Sequence, residues 1–233
     1  TIQDGDSVIF FNFRPALYIP SKEEVKELLQ KMDIRTSHNS EQFRLDRECK
    51  ILFLLYFCCG LRLSEGRLLK WEHIDLDKGI LTVLGSKGNK DRLVYLPQDS
   101  LPVLKNYKER QEMLFPGIDW AFPGKDPHKP VSCSGVESSF NRHWAMLPVA
   151  KTIDKHPTPH CLRHAFVVER FNEWMRQGID TNTMLPYLSR YLGHKSPDKT
   201  YYYYHLVEKA FDTIREKDSV SGKVIPEVIP YEE

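Results

Sequence analysis

The chain has 233 residues, of which 41% are hydrophobic and 28% are charged, with a formal net charge of +1 at pH 7. This composition is typical of a globular protein with a buried core. The longest apolar stretch, residues 51–59, is far shorter than the ~20 residues that a membrane-spanning helix needs. Five cysteines cannot all pair with one another. We therefore exclude a membrane protein and a disulfide-rich secreted scaffold, and predict a cytoplasmic protein.

Helical patterns dominate most of the chain. Ser21 is suited to cap a first helix, because two glutamates follow it and acidic side chains are favourable in a first helical turn. The apolar stretch 51–59 predicts a buried helix that ends at Gly60. Ser64 is suited to cap the next helix, which would leave Arg62 in a tight turn between the two helices.

A small sheet is predicted between residues 72 and 97. Residues 80–83 and 92–96 are rich in side chains that favour strands, and they flank a glycine-containing connection. Lys87 lies between two glycines of this connection, and an amine on a mobile hairpin can reach a bound molecule and protonate a leaving oxygen. We therefore predict an α+β fold that is mostly α-helical, with a small three-stranded antiparallel sheet.

A group of polar side chains near the C-terminus has the composition of a phosphoryl-transfer site. His160, Arg163 and His164 fall in one short segment, His194 follows a glycine, and Tyr203 lies nine residues beyond His194. Arginine can bind two phosphate oxygens with its planar guanidinium, and histidine can donate a hydrogen bond or transfer a proton near neutral pH. A phenol with a pKa of ~10 attacks only where a base takes its proton or cations stabilise the phenolate.

Arg62 and Glu65 extend this group from the N-terminal half of the chain. An arginine in a tight turn is held in place by the backbone rather than by its flexible side chain alone. Glu65, in the first turn of the helix that follows, is placed to fix the guanidinium by a hydrogen bond and suits the helix dipole. Together these residues supply the donors and the nucleophile that phosphoryl transfer to a phenol requires.

With these residues in view, the chain closely resembles the catalytic domain of the tyrosine recombinase, or phage-type integrase, family. The resemblance spans roughly residues 18–210 and rests on separated motifs in family order: Gly60-Leu-Arg62-Leu-Ser-Glu65, Lys87-Gly-Asn-Lys-Asp-Arg92, His160-Cys-Leu-Arg163-His164, and Leu192-Gly-His194 followed by Tyr203. It implies the fold of that domain and a site-specific recombinase that cuts and rejoins DNA through a covalent 3′-phosphotyrosyl intermediate. No metal or nucleotide cofactor is implied.

The resemblance also implies which residues bind the scissile phosphate. Arg62 and Arg163 would bind it directly, and His194 would donate a hydrogen bond to it. Glu65 would support the arginine site. We expect His164 to be a structural or supporting residue of the same site.

The chemical steps would fall to other residues of the motifs. Tyr203 would be the nucleophile, Lys87 would be the general acid for the 5′-hydroxyl leaving group, and His160 would assist proton transfer at the nucleophile. We expect Lys90 and Arg92, next to the hairpin connection, to contact DNA phosphates without sequence preference.

The resemblance also predicts the domain organisation and the partners. Residues 1–17 are expected to be a linker remnant toward a missing N-terminal DNA-binding domain, residues 18–217 the catalytic domain, and residues 218–233 a C-terminal tail. The partner would be double-stranded DNA, and exchange between two duplexes implies a homotetramer of the full-length protein on DNA.

Several alternatives stay open at the level of sequence. Four consecutive tyrosines leave Tyr202 as the second choice for the nucleophile after Tyr203. His160 and His164 have the spacing of a zinc pair, but Cys161 stands where a metalloprotease would have glutamate. A type IB topoisomerase or a telomere resolvase would use similar groups. Outside enzymes, the alternatives are a noncatalytic DNA-binding regulator derived from a recombinase and a helical interaction domain.

Overall fold

The computed structural model describes residues 18–34, 38–86 and 90–194, together with Thr200 and Tyr203. In chain order, the α-helices of this part are α1 (Lys22–Lys31), α2 (Ser40–Cys59), α3 (Leu63–Arg67), α4 (Leu101–Leu114), α5 (Cys133–Trp144), α6 (His160–Arg176) and α7 (Thr181–Tyr191). The strands are β1 (Ile74–Asp75), β2 (Ile80–Ser86) and β3 (Lys90–Tyr95), and short 3-10 helices cover Trp71–His73, Gln98–Ser100 and Pro148–Lys151. The predicted α+β fold, mostly helical with one three-stranded antiparallel sheet, is confirmed.

The sheet has the order β1-β2-β3 with antiparallel neighbours. Leu81 of β2 pairs with Val94 of β3, and both side chains are buried. Val83, also buried, pairs with Arg92. Because side chains alternate between the two faces of a strand, Arg92 shares the inner face with Val94, whereas Leu93 between them is exposed. The sheet therefore directs a charged side chain toward the interior.

Helix α2 lies at the centre of the core and packs against α5 and α6. Leu52, Phe53 and Leu55 are fully buried, as predicted for the apolar stretch of this helix. Phe140 of α5 meets Phe53 edge to face, with ring centroids 5.6 Å apart. Full burial of such a side chain contributes about 1.5–3 kcal/mol to folding. The contacts of α2 with α6 bring Gly60, at the C-terminal end of α2, close to Phe166 of α6, and the polar residues of interest lie nearby.

The ends of the first helices show which local predictions were accurate. Ser21 caps α1 by accepting the backbone N–H of Glu24, as predicted, and Gly60 ends α2 with a left-handed φ of 62°. The predicted cap at Ser64 is wrong, because α3 already begins at Leu63. The Glu65 carboxylate accepts a hydrogen bond from the Arg62 backbone N–H at 2.7 Å. A carboxylate, rather than the Ser64 hydroxyl, therefore bonds a free backbone N–H at the start of α3.

Some predictions fall on residues that the structure does not describe. They concern Lys87 at the hairpin, the alternative nucleophile Tyr202, the N-terminal linker at 1–17 and the C-terminal tail at 218–233. In the described ranges, no helix combines the length and the apolar character that crossing a membrane requires.

Candidate active site

Arg62 is held from two sides. Its Nη1 donates to Oε1 of Glu65 at 2.5 Å, which is the contact predicted from the sequence, and its Nη2 donates to the carbonyl oxygen of Gly193 at 2.7 Å. The turn after Gly60 leaves the Arg62 backbone extended, with φ −74° and ψ 154°. The side chain remains 21% exposed. A guanidinium fixed by these contacts can present its remaining N–H groups to a ligand at the surface.

Arg163 of α6 lies deeper, with 2% exposure. It donates to the carbonyl oxygen of Gly60 at 2.5 Å and to that of Leu192 at 2.8 Å. These carbonyls lie at the C-terminal ends of α2 and α7, where a helix carries partial negative charge and stabilises a cation. Burial and the charge of Arg62 lower the pKa of Arg163 to about 10, so its side chain remains protonated at neutral pH.

Two glycines allow these close contacts. A Cβ atom on Gly60 would lie 2.5 Å from Cδ1 of Phe166, so only glycine fits beneath that ring. Gly193 has a φ of 66°, and a Cβ there would lie 3.3 Å from Nη1 of Arg92 and 3.5 Å from Nη1 of Arg62. The backbone therefore approaches the arginines closely, and its carbonyls hold them.

Glu65 lies among three arginines. Arg92 binds both carboxylate oxygens, at 2.8 and 2.7 Å, Arg62 binds Oε1, and Nη1 of Arg163 lies 3.8 Å from Oε2. Burial alone would raise the pKa of the Glu65 carboxyl, but hydrogen bonds from Arg92 and from the Arg62 backbone N–H lower it to about 2. One carboxylate thus faces three guanidinium groups, which leaves an excess of two positive charges. Such a cluster is suited to bind an anion.

His194 connects this cluster to the segment that carries Tyr203. Its Nε2 lies 3.1 Å from Nη2 of Arg163, and its Nδ1 lies 2.9 Å from Oγ1 of Thr200. A guanidinium can only donate, so Nε2 of His194 accepts and the ring proton lies on Nδ1, from which it is donated to Thr200. The described residues therefore bring His194 and Arg163 into direct contact.

Tyr203 is buried, with 4% exposure, and packs in an apolar cluster with Phe166 and Leu192. Its phenol oxygen lies 2.5 Å from Nδ1 of His164. The ring of His160 packs edge to face on that of His164, with centroids 4.6 Å apart. A negative charge on Tyr203 would raise the pKa of Arg163, so a phenolate at this position is within electrostatic reach of the arginine cluster.

The two histidines differ in their surroundings. Burial, together with the nearby His160 and Arg163, lowers the pKa of His164 to about 3. His160 is the more exposed of the two; partial burial of its ring and the charges of Arg163 and Arg62 lower its pKa too. Both imidazoles are therefore neutral at pH 7, and a neutral imidazole can accept a proton.

Arg92 has a partner that the sequence analysis did not predict. Its side chain is only 10% exposed, and its guanidinium is bound to Glu65, so the geometry favours a role inside the protein over the predicted contact with a DNA phosphate. Alternation in the sequence alone does not reveal this, because both faces of β3 carry apolar side chains: Val94 lies on the face of Arg92, whereas Leu93 and Tyr95 lie on the exposed face.

Known proteins match the chain over most of its length. The sequence profile of the phage integrase family matches residues 21–210. The tyrosine recombinase XerA of Pyrococcus furiosus is 31% identical over 191 residues, which cover 81% of this chain and 57% of that protein. The tyrosine recombinase XerC of Alcanivorax borkumensis is 31% identical over 190 residues, which cover 81% of this chain and 56% of that protein. The chain thus spans little more than half the length of these curated relatives.

Solved structures match the fold. A crystal structure of XerA recombinase aligns with a TM-score of 0.60 at 24% identity, covering 88% of this chain and 66% of that one. A structure of XerH site-specific recombinase bound to a palindromic difH substrate, a post-cleavage complex, also aligns. Its TM-score is 0.63 at 23% identity, and the match covers 84% of this chain and 52% of that one. The fold is therefore that of a tyrosine recombinase catalytic domain. With its profile match across residues 21–210, the chain belongs to the phage integrase family.

Proposed function

We propose that the chain is the catalytic domain of a site-specific DNA recombinase or integrase that cuts and rejoins strands through a 3′-phosphotyrosyl intermediate. The observation that carries this proposal is the pair of arginines Arg62 and Arg163 beside the Glu65 carboxylate, with His194 in contact with Arg163, in a chain of this family. Double-stranded DNA is the proposed partner, and the related XerH structure was solved with its difH substrate.

The proposed role of the cluster is to bind the scissile phosphate. Arg62 and Arg163 carry the excess positive charge, and their guanidinium groups are held from behind by backbone carbonyls. Donors held in advance stabilise the additional charge of a pentavalent transition state without reorganising during the reaction. His194 lies against Arg163 and would donate to the same phosphate after its ring proton moves to Nε2.

The proposed chemistry is a reversible exchange of one phosphate ester for another. The Tyr203 phenol oxygen attacks phosphorus and a bond from phosphorus to the tyrosine forms. The phenol proton passes to His164, to which it is hydrogen-bonded, and His160, whose ring packs on that of His164, assists this transfer. The bond to the 5′-oxygen breaks, and Lys87 protonates that oxygen. Attack by a 5′-hydroxyl on the phosphotyrosine reverses these steps, and attack from a different strand recombines the DNA. The ester energy is conserved, so rejoining requires no nucleotide.

The wider setting is also part of the proposal. The domain would act in the cytoplasm as one of four copies on two duplexes, with Lys90 contacting phosphates near the hairpin. Residues 18–217 would form the catalytic domain, preceded by a linker at 1–17 and followed by a tail at 218–233. The biological substrate would be the ends of a mobile genetic element.

The test is to trap the covalent intermediate. The chain is incubated in EDTA with a nicked suicide duplex that carries the ends of the encoding element, so that the released fragment diffuses away and rejoining is blocked. The protein is then digested with trypsin and nuclease, and tandem mass spectrometry locates any nucleotide adduct. Tyr203→Phe is the test variant and Tyr202→Phe its matched control.

An adduct on Tyr203 that persists in Tyr202→Phe and is lost in Tyr203→Phe would support the proposal. An adduct on Tyr202 would retain the chemistry and correct the nucleophile. Binding of the duplex without any adduct would favour the noncatalytic regulator. Exchange of strands between two labelled duplexes distinguishes a recombinase from a type IB topoisomerase or a telomere resolvase.

A further inference from the structure

Arg92 has the contacts of a residue that organises the arginine cluster. It reaches the cluster from β3, with its side chain on the inner face of the sheet and 10% exposed. Its Nη1 donates to Oε1 of Glu65 and its Nη2 to Oε2, at 2.8 and 2.7 Å. This paired geometry fixes both the position and the plane of the carboxylate, which a single contact would not do.

Each oxygen of Glu65 is shared between Arg92 and Arg62. Oε1 accepts from the guanidinium groups of both residues, and Oε2 accepts from Arg92 and from the Arg62 backbone N–H. Arg92 therefore determines the orientation in which Glu65 holds Arg62.

The charges indicate what would change without Arg92. Glu65 would then be balanced by Arg62 and Arg163 alone, and the excess of positive charge would fall from two to one. Nη1 of Arg163 already lies 3.8 Å from Oε2, so the carboxylate has a second guanidinium to turn toward. A carboxylate drawn to Arg163 would compete with a bound phosphate for the same donors.

We propose that Arg92 is a positioning residue for DNA cleavage: by holding Glu65 through both oxygens, it fixes Arg62 and keeps the carboxylate from competing with the scissile phosphate. This inference rests on the proposed function, since it concerns the rate of that cleavage. It assigns Arg92 no contact with DNA. The role differs from that of a phosphate-binding arginine in a way that experiments can resolve.

The test compares Arg92→Met and Arg92→Lys with the unmodified chain on the nicked suicide duplex. We measure the single-turnover rate of adduct formation at saturating protein, and DNA affinity as a function of salt. Arg92→Met is expected to lower the rate about 100-fold, the scale of a small misplacement of catalytic groups. Arg92→Lys is expected to recover little of that loss, because an ammonium cannot bind both oxygens in one plane. The salt dependence of affinity should stay the same in both variants.

Arg142→Met is the matched control. Arg142 also binds a buried carboxylate, with Nη2 donating to Asp46 at 2.9 Å, but this pair lies near the opposite end of α2 from Gly60. We expect lower thermal stability and an unchanged rate of adduct formation below the melting temperature.

A double variant tests whether Arg92 acts through Glu65, starting from Glu65→Gln. Adding Arg92→Met to it should lower the rate by less than about threefold, because the carboxylate through which Arg92 acts is already lost.

Each contrary outcome overturns the proposal in a recognisable way. A direct phosphate contact would appear as a salt slope reduced by about 1 in Arg92→Met with an unchanged rate at saturation. Full rescue by Arg92→Lys would mean that only the charge matters. If the losses of rate from Arg92→Met and Glu65→Gln add in the double variant, Arg92 does not act through Glu65. If the unmodified chain itself forms no adduct, the proposed function fails, and this inference fails with it.

Discussion

Nδ1 of His164 lies 2.5 Å from the phenol oxygen of Tyr203, and a hydrogen bond joins the two side chains. The pKa of His164 is lowered to about 3, so its ring is neutral at pH 7 and can accept the phenol proton in hydrogen bonding. The bond thus joins a neutral imidazole to a phenol that packs in an apolar cluster. It holds the proposed nucleophile in place beside the arginine cluster.

The partly buried, neutral His164 should make stability depend on pH. Its folded pKa of about 3 lies below the ordinary value of 6.5, so the unfolded chain binds a proton that the folded chain does not. The contribution of neutral His164 to the free energy of unfolding is complete above pH 6.5. It is lost as the pH falls toward 3, at about 1.4 kcal/mol per pH unit. The free energy of unfolding, measured with urea between pH 4 and 7, should rise less steeply with pH in His164→Phe than in the unmodified chain, by up to about 1.4 kcal/mol per pH unit. An NMR titration in which the His164 ring protonates near pH 6.5 would contradict the prediction.

Arg163→Lys should separate charge from geometry at the deepest arginine. Lysine keeps the charge but has one nitrogen in place of Nη1, which reaches Gly60, and Nη2, which reaches Leu192 and His194, so buried acceptors lose partners. We expect adduct formation to slow about 10²–10³-fold, and the free energy of unfolding to fall by about 1–3 kcal/mol. Rates come from the suicide duplex and stability from urea unfolding.

Arg44→Lys is the control for that variant. Arg44 also donates to a buried backbone carbonyl, that of Gly124 at 2.8 Å, and lies near the start of α2, away from the arginine cluster. It should lose stability and keep the rate of adduct formation. A normal rate in Arg163→Lys would show that the carbonyl contacts do not matter for phosphate binding.

Gly60→Ala and Gly178→Ala form a matched pair for the backbone. Both glycines have a left-handed φ, 62° and 69°, but a Cβ at Gly178 meets nothing within 4 Å, whereas at Gly60 it would meet the Phe166 ring. Gly178→Ala should cost only the conformational penalty, about 1–2 kcal/mol. Gly60→Ala should cost about 1–3 kcal/mol more for the overpacked ring. Chemical denaturation checks both values, and equal losses would refute the steric account.

Gly60→Ala should also slow adduct formation, because the Gly60 carbonyl holds Arg163. Gly178→Ala should leave the rate unchanged. The rates are compared in buffer in which circular dichroism shows both variants to be folded.

The role of Lys87 can be tested through the leaving group. Lys87→Ala should slow cleavage about 10²–10⁴-fold if the amine protonates the 5′-oxygen. A duplex with sulfur at that bridging position releases a thiolate, which is a better leaving group and needs no proton. The variant should then approach the rate of the unmodified chain on the same duplex. A deficit that persists with sulfur would assign Lys87 to binding instead.

Local sequence signals predicted the elements well but some contacts poorly. Serine before acidic residues marked the start of α1, and Gly60 marked the end of α2, because caps and left-handed residues follow local rules. Ser64 had a similar local signal, but the prediction that it caps α3 was wrong. The cap position is Arg62, whose backbone N–H donates to the Glu65 carboxylate. Arg92 lies on the predicted strand, but its bond to Glu65 was not predicted, because it depends on the face of β3 that packs inward.

By itself, the sequence determined the fold class and the family, since helix periodicity, turn residues and motif order are all properties of the chain. Only the tertiary structure decided which charged groups meet. Glu65 and Arg92 are 27 residues apart, Gly60 and Arg163 are 103 apart, and Arg62 and Gly193 are 131 apart. Each of these contacts depends on packing between separate elements. The excess positive charge at the arginine cluster follows from that packing and not from the net charge of the chain.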